Sequence, residues 1–329
     1  MMRYLVLLLA VLTALYIGRL SPNGVRGSSD SESYMSAAEC LKHAEPILQR
    51  DGKPFTLWPP GYPALLCLAD ARTIAIVSAG AWAALAFLLI AQRVKSKRLA
   101  FLGALFLILA PPIRAVGPCA WSDMPFSAAA CGMLLVSDWY KAGPDLRRLC
   151  CLAAVVAVCY MLRYIGVACV LTGVVIIATY CQWRTRYLGR FRQALIFLAI
   201  SCIPIGLWCL RNLSLGDGLF GTRIFNRFPL YLDCLNVLRG FVAWVIPNAW
   251  LPESVIVVFG GFAMALLVVT FLLTHKTATD PCFIFVCIYI VILVFSASVT
   301  ENNRVRYLFP AFAPALAWTL GAIRERSKK

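Results

Sequence analysis

The sequence predicts an all-α polytopic membrane protein, and three observations support that fold class. Apolar residues make up 61% of the 329 residues, and the mean hydropathy is +0.79, which is more apolar side chain than a water-soluble core could bury. Apolar runs recur from one end of the chain to the other. The segments between these runs are too short for a separate soluble domain. Residues 1–329 are therefore predicted to form a single integral-membrane domain with about ten transmembrane helices.

The apolar runs define the predicted spans. Arg3 precedes the first run and no small-residue cleavage site follows it, so we expect this run to remain as a membrane anchor. Runs 99–113 and 149–162 are short for a full crossing. The predicted spans are 4–20, 73–91, 99–113, 125–140, 149–162, 164–181, 194–210, 255–273, 282–299 and 307–322.

The net charge of +16 follows the predicted topology. With the N-terminus inside, the inner segments carry 17 of the 31 basic residues but only 4 of the 15 acidic ones. Basic inner loops are the positive-inside signature of membrane proteins. We therefore expect the protein to lie in an inner or plasma membrane with both termini on the cytoplasmic side. The lipid bilayer is an expected partner, and nucleic acid is not. The two long outer segments are about 21–72 and 211–254.

The 14 cysteines lie mostly within the predicted spans, where a thiol behaves as a small apolar group. They form no metal-ligand spacing, so no cysteine metal site is predicted. Cys40, Cys119 and Cys234 are predicted on the outer side. One disulfide among these three remains an open alternative.

The first outer segment contains a predicted interfacial helix. Apolar side chains recur there at helical spacing, at Tyr34, Ala37, Ala38 and Leu41. The helix is predicted to begin near Asp30 and to lie along the membrane face. The stretch "TLWPPGYPALL" at 56–66 follows, and its prolines are expected to delay the next helix until after Pro63. Trp58 and Tyr62 suit the headgroup level.

Asp30 has two alternative interpretations. Ser29 and Glu32 form the capping-box pattern S-x-x-E, and Asp30 itself is an acceptable helix cap. Since the neighbouring serines can also cap the helix, the aspartate is not required for that purpose. An acid at the outer bilayer surface could instead deprotonate an acceptor hydroxyl.

A second acid and several arginines are predicted at the same face. Asp123 lies in the turn "AVGPCAWSDMPF" at 115–126, where it either caps the next span or takes part in acceptor or metal binding. The arginines at predicted outer helix ends are Arg163, Arg211, Arg304 and Arg306, and Tyr307 follows the last of them. Snorkelling to headgroups explains any single one of these arginines. Together they are suited to binding a lipid phosphate, since guanidinium groups pair with phosphate through two hydrogen bonds.

An outer-surface acid beside a cationic site suits transfer of a group from a lipid-phosphate donor. Five segments, in this order, resemble the type C (GT-C) membrane glycosyltransferases that use polyprenyl-phosphate sugars. That family 39-like group includes the protein mannosyltransferases and the lipid A aminoarabinose transferases. The segments are "DSESY", "WPPGYPALL", "WSDMPF", "RYIG" and "RVRYLFPAFAPAL", and "PIGLWCLRNLSLGDGLFGTR" at 204–223 is similar as well.

The resemblance implies a GT-C-like helical bundle and assigns roles to particular residues. Asp30 matches the catalytic base, Arg304 and Arg306 match the arginines that bind the donor phosphate, and Asp123 matches a position for acceptor or metal binding. Many members carry a second acid directly after the base, whereas this chain has Ser31 there. The expected helpers at the phosphate are Tyr307, Arg163 and Arg211, and the expected acceptor or auxiliary residues are Glu32 and Tyr62. The resemblance predicts no particular cofactor and allows a divalent cation, Mg²⁺ or Mn²⁺.

The predicted function is an inverting glycosyltransferase with its site on the outer, periplasmic face. The donor would be a polyprenyl-phosphate monosaccharide, and the acceptor a lipid-linked glycan or cell-envelope polymer. Two alternatives stay open. A flippase or transporter of a lipid-linked sugar would explain the arginines, and an inactive assembly subunit with the same fold would explain the missing adjacent acid.

Overall fold

The structure is a computed structural model that describes residues 2–180, 187–221, 230–246, 258, 279–296 and 304–327. Within these ranges the regular structure is helical apart from two isolated β-bridges, so the all-α prediction is confirmed. A 3₁₀ turn, Tyr164–Gly166, follows the eighth helix. The helices are α1 Met2–Leu20, α2 Ser29–Lys42, α3 Gly61–Leu68, α4 Ala71–Val94, α5 Lys97–Leu109, α6 Pro111–Val116, α7 Asp123–Ala142, α8 Leu146–Leu162, α9 Val167–Tyr180, α10 Tyr187–Ser214, α11 Leu230–Val242, α12 Pro281–Phe295 and α13 Arg304–Arg326.

Three of these helices are long and apolar enough to cross a membrane: α1, α4 and the Phe191–Ser214 part of α10. Shorter apolar helices cover Tyr164–Thr179 and Pro281–Phe295. Each predicted span overlaps a helix except 255–273, which lies outside the described residues apart from residue 258. The polytopic membrane class is thus confirmed.

The predicted span 99–113 is wrong as one continuous helix. Helix α5 ends at Leu109, and Ala110 has an extended backbone conformation. Pro111 and Pro112 then begin the short helix α6. Proline disfavours a helical conformation in the residue before it, which explains why the helix breaks at Ala110.

Helix α2 confirms the predicted amphipathic helix, with Tyr34, Ala37 and Ala38 buried against α3. The prediction that no helix begins before Pro63 is wrong, because α3 begins at Gly61. Proline is tolerated in the first turn of a helix, where the missing N–H would have had no intrahelical partner. A Cβ atom at Gly61 would lie 2.5 Å from the Met161 carbonyl oxygen, so glycine is needed for α3 to approach the end of α8.

Helix α4 forms the centre of the bundle and packs against α1, α5, α7 and α13. Small side chains permit this close packing: a Cβ at Gly80 would lie only 2.9 Å from the Ala10 carbonyl oxygen of α1. The Trp82 ring packs against Phe309 of α13, with ring centroids 4.9 Å apart. The alternating helix directions bring two sets of charged side chains together at opposite ends of the bundle. We call these the Asp30 end and the Arg93 end.

Candidate active site

Ser28 caps helix α2, and this frees Asp30 from capping. The Ser28 hydroxyl accepts a hydrogen bond from the Ser31 N–H at 3.4 Å, and the Ser31 hydroxyl accepts one from the Ser28 N–H at 3.1 Å. This is a reciprocal capping box, displaced by one residue from the predicted Ser29–Glu32 pair. Ser31, which stands where the resemblance led us to expect a second acid, is therefore part of the cap.

The start of α2 is attached to the turn that precedes α7. The Arg26 N–H donates to the Pro118 carbonyl at 2.8 Å, and the Ala120 N–H donates to the Arg26 carbonyl at 3.0 Å. The Trp121 indole N–H donates to the Ser28 hydroxyl at 2.9 Å. These bonds fix the distance between Asp30, on α2, and Asp123, on α7.

Two aspartates and two arginines from four parts of the chain form one ion network. Arg306 donates through Nη1 to Asp30 Oδ2 and through Nε to Asp123 Oδ2, each at 2.8 Å. Arg163, at the end of α8, donates to the other carboxylate oxygen of Asp123. The structure therefore brings together four of the residues selected from the sequence.

Burial differs sharply between the two acids. The Asp123 side chain is 0% exposed, whereas the Asp30 side chain is 24% exposed. Arg306 and Arg163 are 7% and 11% exposed. A buried carboxylate is stable only when it is paired and hydrogen-bonded, and Asp123 has an arginine on each oxygen. Asp123 is the first residue of α7 rather than its cap, which is Ser122.

Aromatic rings hold the two guanidinium groups in place. The Arg306 guanidinium lies 4.3 Å from the centre of the Trp121 ring. Tyr307 lies beside both arginines, with its ring centre 5.7 Å from the Arg306 guanidinium and 5.3 Å from that of Arg163. Such cation–π contacts fix the orientation of the guanidinium planes.

An aromatic cluster packs beneath α2. The Tyr34 ring contacts the rings of Tyr62, Trp58 and Phe55, at centroid distances of 5.0, 5.5 and 6.2 Å. Tyr62 is 1% exposed, so it is buried in the protein and not at a headgroup-exposed surface as predicted. Burial raises the pKa of the Tyr34 and Tyr62 hydroxyls, which keeps both neutral. Among the described residues the Tyr62 hydroxyl has no hydrogen-bond partner.

Arg211 contacts the first outer segment instead of the ion network. It donates to the Phe55 carbonyl at 2.7 Å and to the Ile47 carbonyl at 3.3 Å, and its guanidinium lies 4.5 Å from the Trp208 ring centre. Asn212 adds a bond to the Thr56 carbonyl at 3.3 Å. These contacts attach the end of α10 to the loop that leads into α3.

The remaining predicted site residues lie elsewhere. Glu32 forms an ion pair with Arg50 on the exposed surface. Arg304 is the first residue of α13, and its side chain lies outside the described part of the structure. The alternative of a disulfide among Cys40, Cys119 and Cys234 is not realised, because all three are free thiols.

The described residues do not fit a divalent cation. Both Asp30 and Asp123 are bonded to arginine, and the described chain holds no group of three or more potential metal ligands among its His, Cys, Asp and Glu residues. Mg²⁺ and Mn²⁺ prefer several oxygen ligands, which this site does not supply.

The helix order and the apolar spans define an all-α polytopic membrane protein with a GT-C-like fold. The chain is similar to the crystal structure of ArnT from Cupriavidus metallidurans bound to undecaprenyl phosphate, with a TM-score of 0.62 and 16% identity over 98% of this chain. It is also similar to the apo structure of the same protein, with a TM-score of 0.59 and 17% identity over 96% of this chain. ArnT is a GT-C lipid A aminoarabinose transferase, so the predicted resemblance in fold is confirmed.

This chain spans about three fifths of the ArnT chain, since the matched region covers 59% of it. No protein-family model and no curated protein sequence matches the chain.

Proposed function

We propose that this protein is a glycosyltransferase that moves a monosaccharide from a polyprenyl-phosphate donor to a hydroxyl of a lipid-linked glycan or cell-envelope polymer. The observation that carries the proposal is the bridge that Arg306 makes between Asp30 and Asp123, with Arg163 on the far side of Asp123. The GT-C-like fold supports the same activity. So does the undecaprenyl phosphate bound in the ArnT crystal structure, which is a lipid phosphate of the proposed kind.

Asp30 is the residue proposed as the general base. Ser28, and not Asp30, caps helix α2. The Asp30 carboxylate is more exposed than that of Asp123, the other acid of the network. In the proposed step the acceptor hydroxyl gives its proton to the Asp30 carboxylate as its oxygen attacks the anomeric carbon. The bond between that carbon and the phosphate oxygen breaks, and the phosphate leaves with the electron pair.

Arg306 and Arg163 are the groups suited to the departing phosphate. Both guanidinium groups are largely buried and are oriented by Asp123 and Tyr307. Fixed cations in a water-poor site stabilise charge that develops on a leaving group without reorganising. Arg304, two residues before Arg306, is proposed as a further contact, and a role for Arg211 would be to hold the loop beside the site.

The site is assigned to the outer, periplasmic face because of the charge distribution. The opposite, Arg93 end carries Arg93, Lys97, Arg98 and Arg148, in keeping with the positive-inside rule. A donor with a lipid-phosphate leaving group suits an outer site, because it is already activated and nucleotide sugars are absent there.

The experiment is a transfer assay with purified protein in lipid nanodiscs, polyprenyl-phosphate sugars and extracted envelope lipids. We expect the wild type to transfer sugar and Asp30→Asn to lose about 10²–10⁴-fold in rate, the usual contribution of a general base. Glu39→Gln, an exposed acid of the same helix paired with Lys42 and His43, is the matched control and should keep full activity.

Three outcomes would contradict the proposal. Full transfer by folded Asp30→Asn would remove the base assignment. Movement of a lipid-linked sugar across vesicles without product would favour a flippase, and donor binding without either activity would favour an assembly subunit. A mass-spectrometric comparison of envelope glycans with and without the protein would then identify the missing sugar.

A further inference from the structure

Arg306 donates hydrogen bonds to both Asp30 and Asp123, but these two bonds are not equivalent. Asp123 is fully buried and receives a second arginine, Arg163. Asp30 is partly exposed, and Arg306 is its one arginine partner among the described residues. Separating Asp123 from Arg306 would leave a buried charge imperfectly paired, which costs several kcal/mol. Separating Asp30 from Arg306 exposes a carboxylate that water can already reach, so this bond is the exchangeable one.

The resting contact also conflicts with the proposed role of Asp30. A general base needs its carboxylate oxygen within hydrogen-bond reach of the hydroxyl that it deprotonates. Asp30 Oδ2 is instead bonded to Arg306 Nη1. The same Nη1 is needed by an incoming phosphate, because guanidinium groups bind phosphate through paired N–H donors.

We propose that Asp30 is the resting counter-ion of Arg306, and that the phosphate of the bound lipid displaces it. This inference rests on the proposed function and adds an order of events to it. The phosphate takes over the N–H groups that Asp30 occupied, and the released carboxylate becomes available to the acceptor hydroxyl. Asp123 and Arg163 keep Arg306 in position throughout the exchange. Donor binding therefore precedes activation of the acceptor.

The exchange keeps the charge of the site constant through the reaction. Asp30, Asp123, Arg163 and Arg306 carry formal charges that cancel. A phosphodiester donor adds one negative charge. During transfer the acceptor proton neutralises Asp30, while the phosphate becomes a monoester with a charge of about −2. The total is the same before and after, since the charge that Asp30 loses appears on the phosphate that Arg306 now holds.

The charged and titratable groups around Asp30 come from several elements. Arg306 approaches from α13, Asp123 from the start of α7 and Arg163 from the end of α8. The neutral Tyr34 hydroxyl lies on α2 itself, where it shares a hydrogen bond with Ser122 at 3.4 Å. Arg26 and the Cys119 thiol lie in the adjoining loops. Arg306 is the one cation among the described residues with a direct bond to the Asp30 carboxylate.

The test measures the affinity of the purified protein in nanodiscs for undecaprenyl phosphate, with undecaprenol as the probe that lacks the phosphate. Removing the competing carboxylate in Asp30→Asn should tighten undecaprenyl phosphate binding by about 2- to 5-fold, the fold-change that corresponds to losing a partly exposed ion pair. Undecaprenol binding should not change. Glu39→Gln should leave both affinities unchanged. Unchanged or weaker phosphate binding by folded Asp30→Asn would overturn the proposal.

Simple removal of a negative charge near an anion could also tighten binding, and a second background separates the two causes. In Arg306→Gln there is no shared arginine, so adding Asp30→Asn should no longer tighten binding. Persistence of the full effect there would also overturn the proposal. If Arg306→Gln does not fold, Arg306→Lys serves instead, because lysine keeps the charge but cannot span both carboxylates. With lysine the Asp30→Asn effect should shrink.

The binding assay involves no sugar transfer, so its failure is distinguishable from failure of the proposed activity. A protein that shows the exchange but transfers no sugar would keep the counter-ion inference and lose the enzymatic one. A protein that transfers sugar without the exchange would keep the proposed enzymatic activity and lose the counter-ion inference.

Discussion

The two ends of the bundle each contain an arginine between two aspartates, yet the acids of the two clusters make different contacts with the helices around them. At the Arg93 end, Arg93 donates to Asp138 at 2.6 Å and to Asp280 at 3.4 Å. Asp280 also caps α12, because it accepts a hydrogen bond from the Cys282 N–H at 2.7 Å. A Cβ at Gly321 would lie 2.9 Å from the Arg93 Cβ, so α13 packs against the same side chain. This cluster joins the ends of α4, α7, α12 and α13.

At the Asp30 end the corresponding acid has no capping task, since Ser28 and Ser31 cap α2. The arginine there lies against an aromatic ring, Trp121, and a second arginine, Arg163, completes the pairing of Asp123. The carboxylate of an acid that caps a helix is hydrogen-bonded to backbone N–H groups. Where another residue caps the helix, as Ser28 does for α2, the carboxylate is free of that contact and can take part in a reaction. This difference separates a structural ion cluster from a candidate catalytic one.

The largest expected effect comes from Asp123→Ala, which tests whether the Asp30 end depends on its buried acid for folding. The change leaves two largely buried arginines without their shared carboxylate. Removing one partner of a buried ion pair destabilises a protein by about 3–5 kcal/mol. We expect a lower membrane yield and a lower unfolding temperature of the purified protein, measured by thermal unfolding in detergent. An unfolding temperature equal to the wild type would contradict the buried network.

Arg93→Gln tests the other end and should have a smaller effect on stability, about 1–3 kcal/mol, because Asp138 and Asp280 are both partly exposed. Since this cluster lies at the opposite end from the proposed site, the transfer rate per folded molecule should not change. Thermal unfolding and the transfer assay measure the two quantities separately. A loss of rate in the folded variant would mean that the two clusters do not have separate roles.

The sequence was sufficient for the helical class because apolar length and loop charge are local properties of the chain. It also indicated the members of the ion network, since acids and arginines at one predicted face have few partners other than each other. The sequence pattern places the cap of α2 at Ser29, one residue after the observed cap, Ser28. The pattern S-x-x-E fits residues 29–32, whereas the observed box pairs two serines, Ser28 and Ser31, and the Trp121 bond to Ser28 that accompanies it comes from a distant turn. The sequence also offers a signal for Trp121, a tryptophan directly before Ser122 and Asp123, but nothing in the pattern shows that its ring contacts Arg306.

The role of Arg211 was equally inaccessible from the sequence. An arginine at a helix end is compatible with a phosphate, a headgroup or a loop carbonyl, and only the packing of the first outer segment brings the Phe55 and Ile47 carbonyls within its reach. Every residue has a backbone carbonyl, so the sequence does not indicate which carbonyl an arginine will contact.

The smallest expected effect compares one buried tyrosine from each end. The Tyr140 hydroxyl, towards the Arg93 end, donates to Gln193 at 2.7 Å, whereas the Tyr62 hydroxyl near the Asp30 end has no hydrogen-bond partner among the described residues. Replacing Tyr140 with Phe leaves Gln193 without this donor and should destabilise the protein by about 1 kcal/mol. Replacing Tyr62 with Phe removes an unpaired buried hydroxyl and should leave stability unchanged or slightly higher.

Activity should show the opposite order. Tyr62 contacts Tyr34 in the aromatic cluster under α2, and the auxiliary role predicted for it requires its buried, neutral hydroxyl to bind the acceptor. Tyr62→Phe should therefore lower transfer several-fold with the ring packing intact, while folded Tyr140→Phe transfers at the wild-type rate. Thermal unfolding and acceptor-dependent kinetics on the two variants test this reciprocal pattern. Equal activity of Tyr62→Phe and the wild type would mean that the hydroxyl is a packing imperfection, and the auxiliary role predicted for Tyr62 would then be withdrawn.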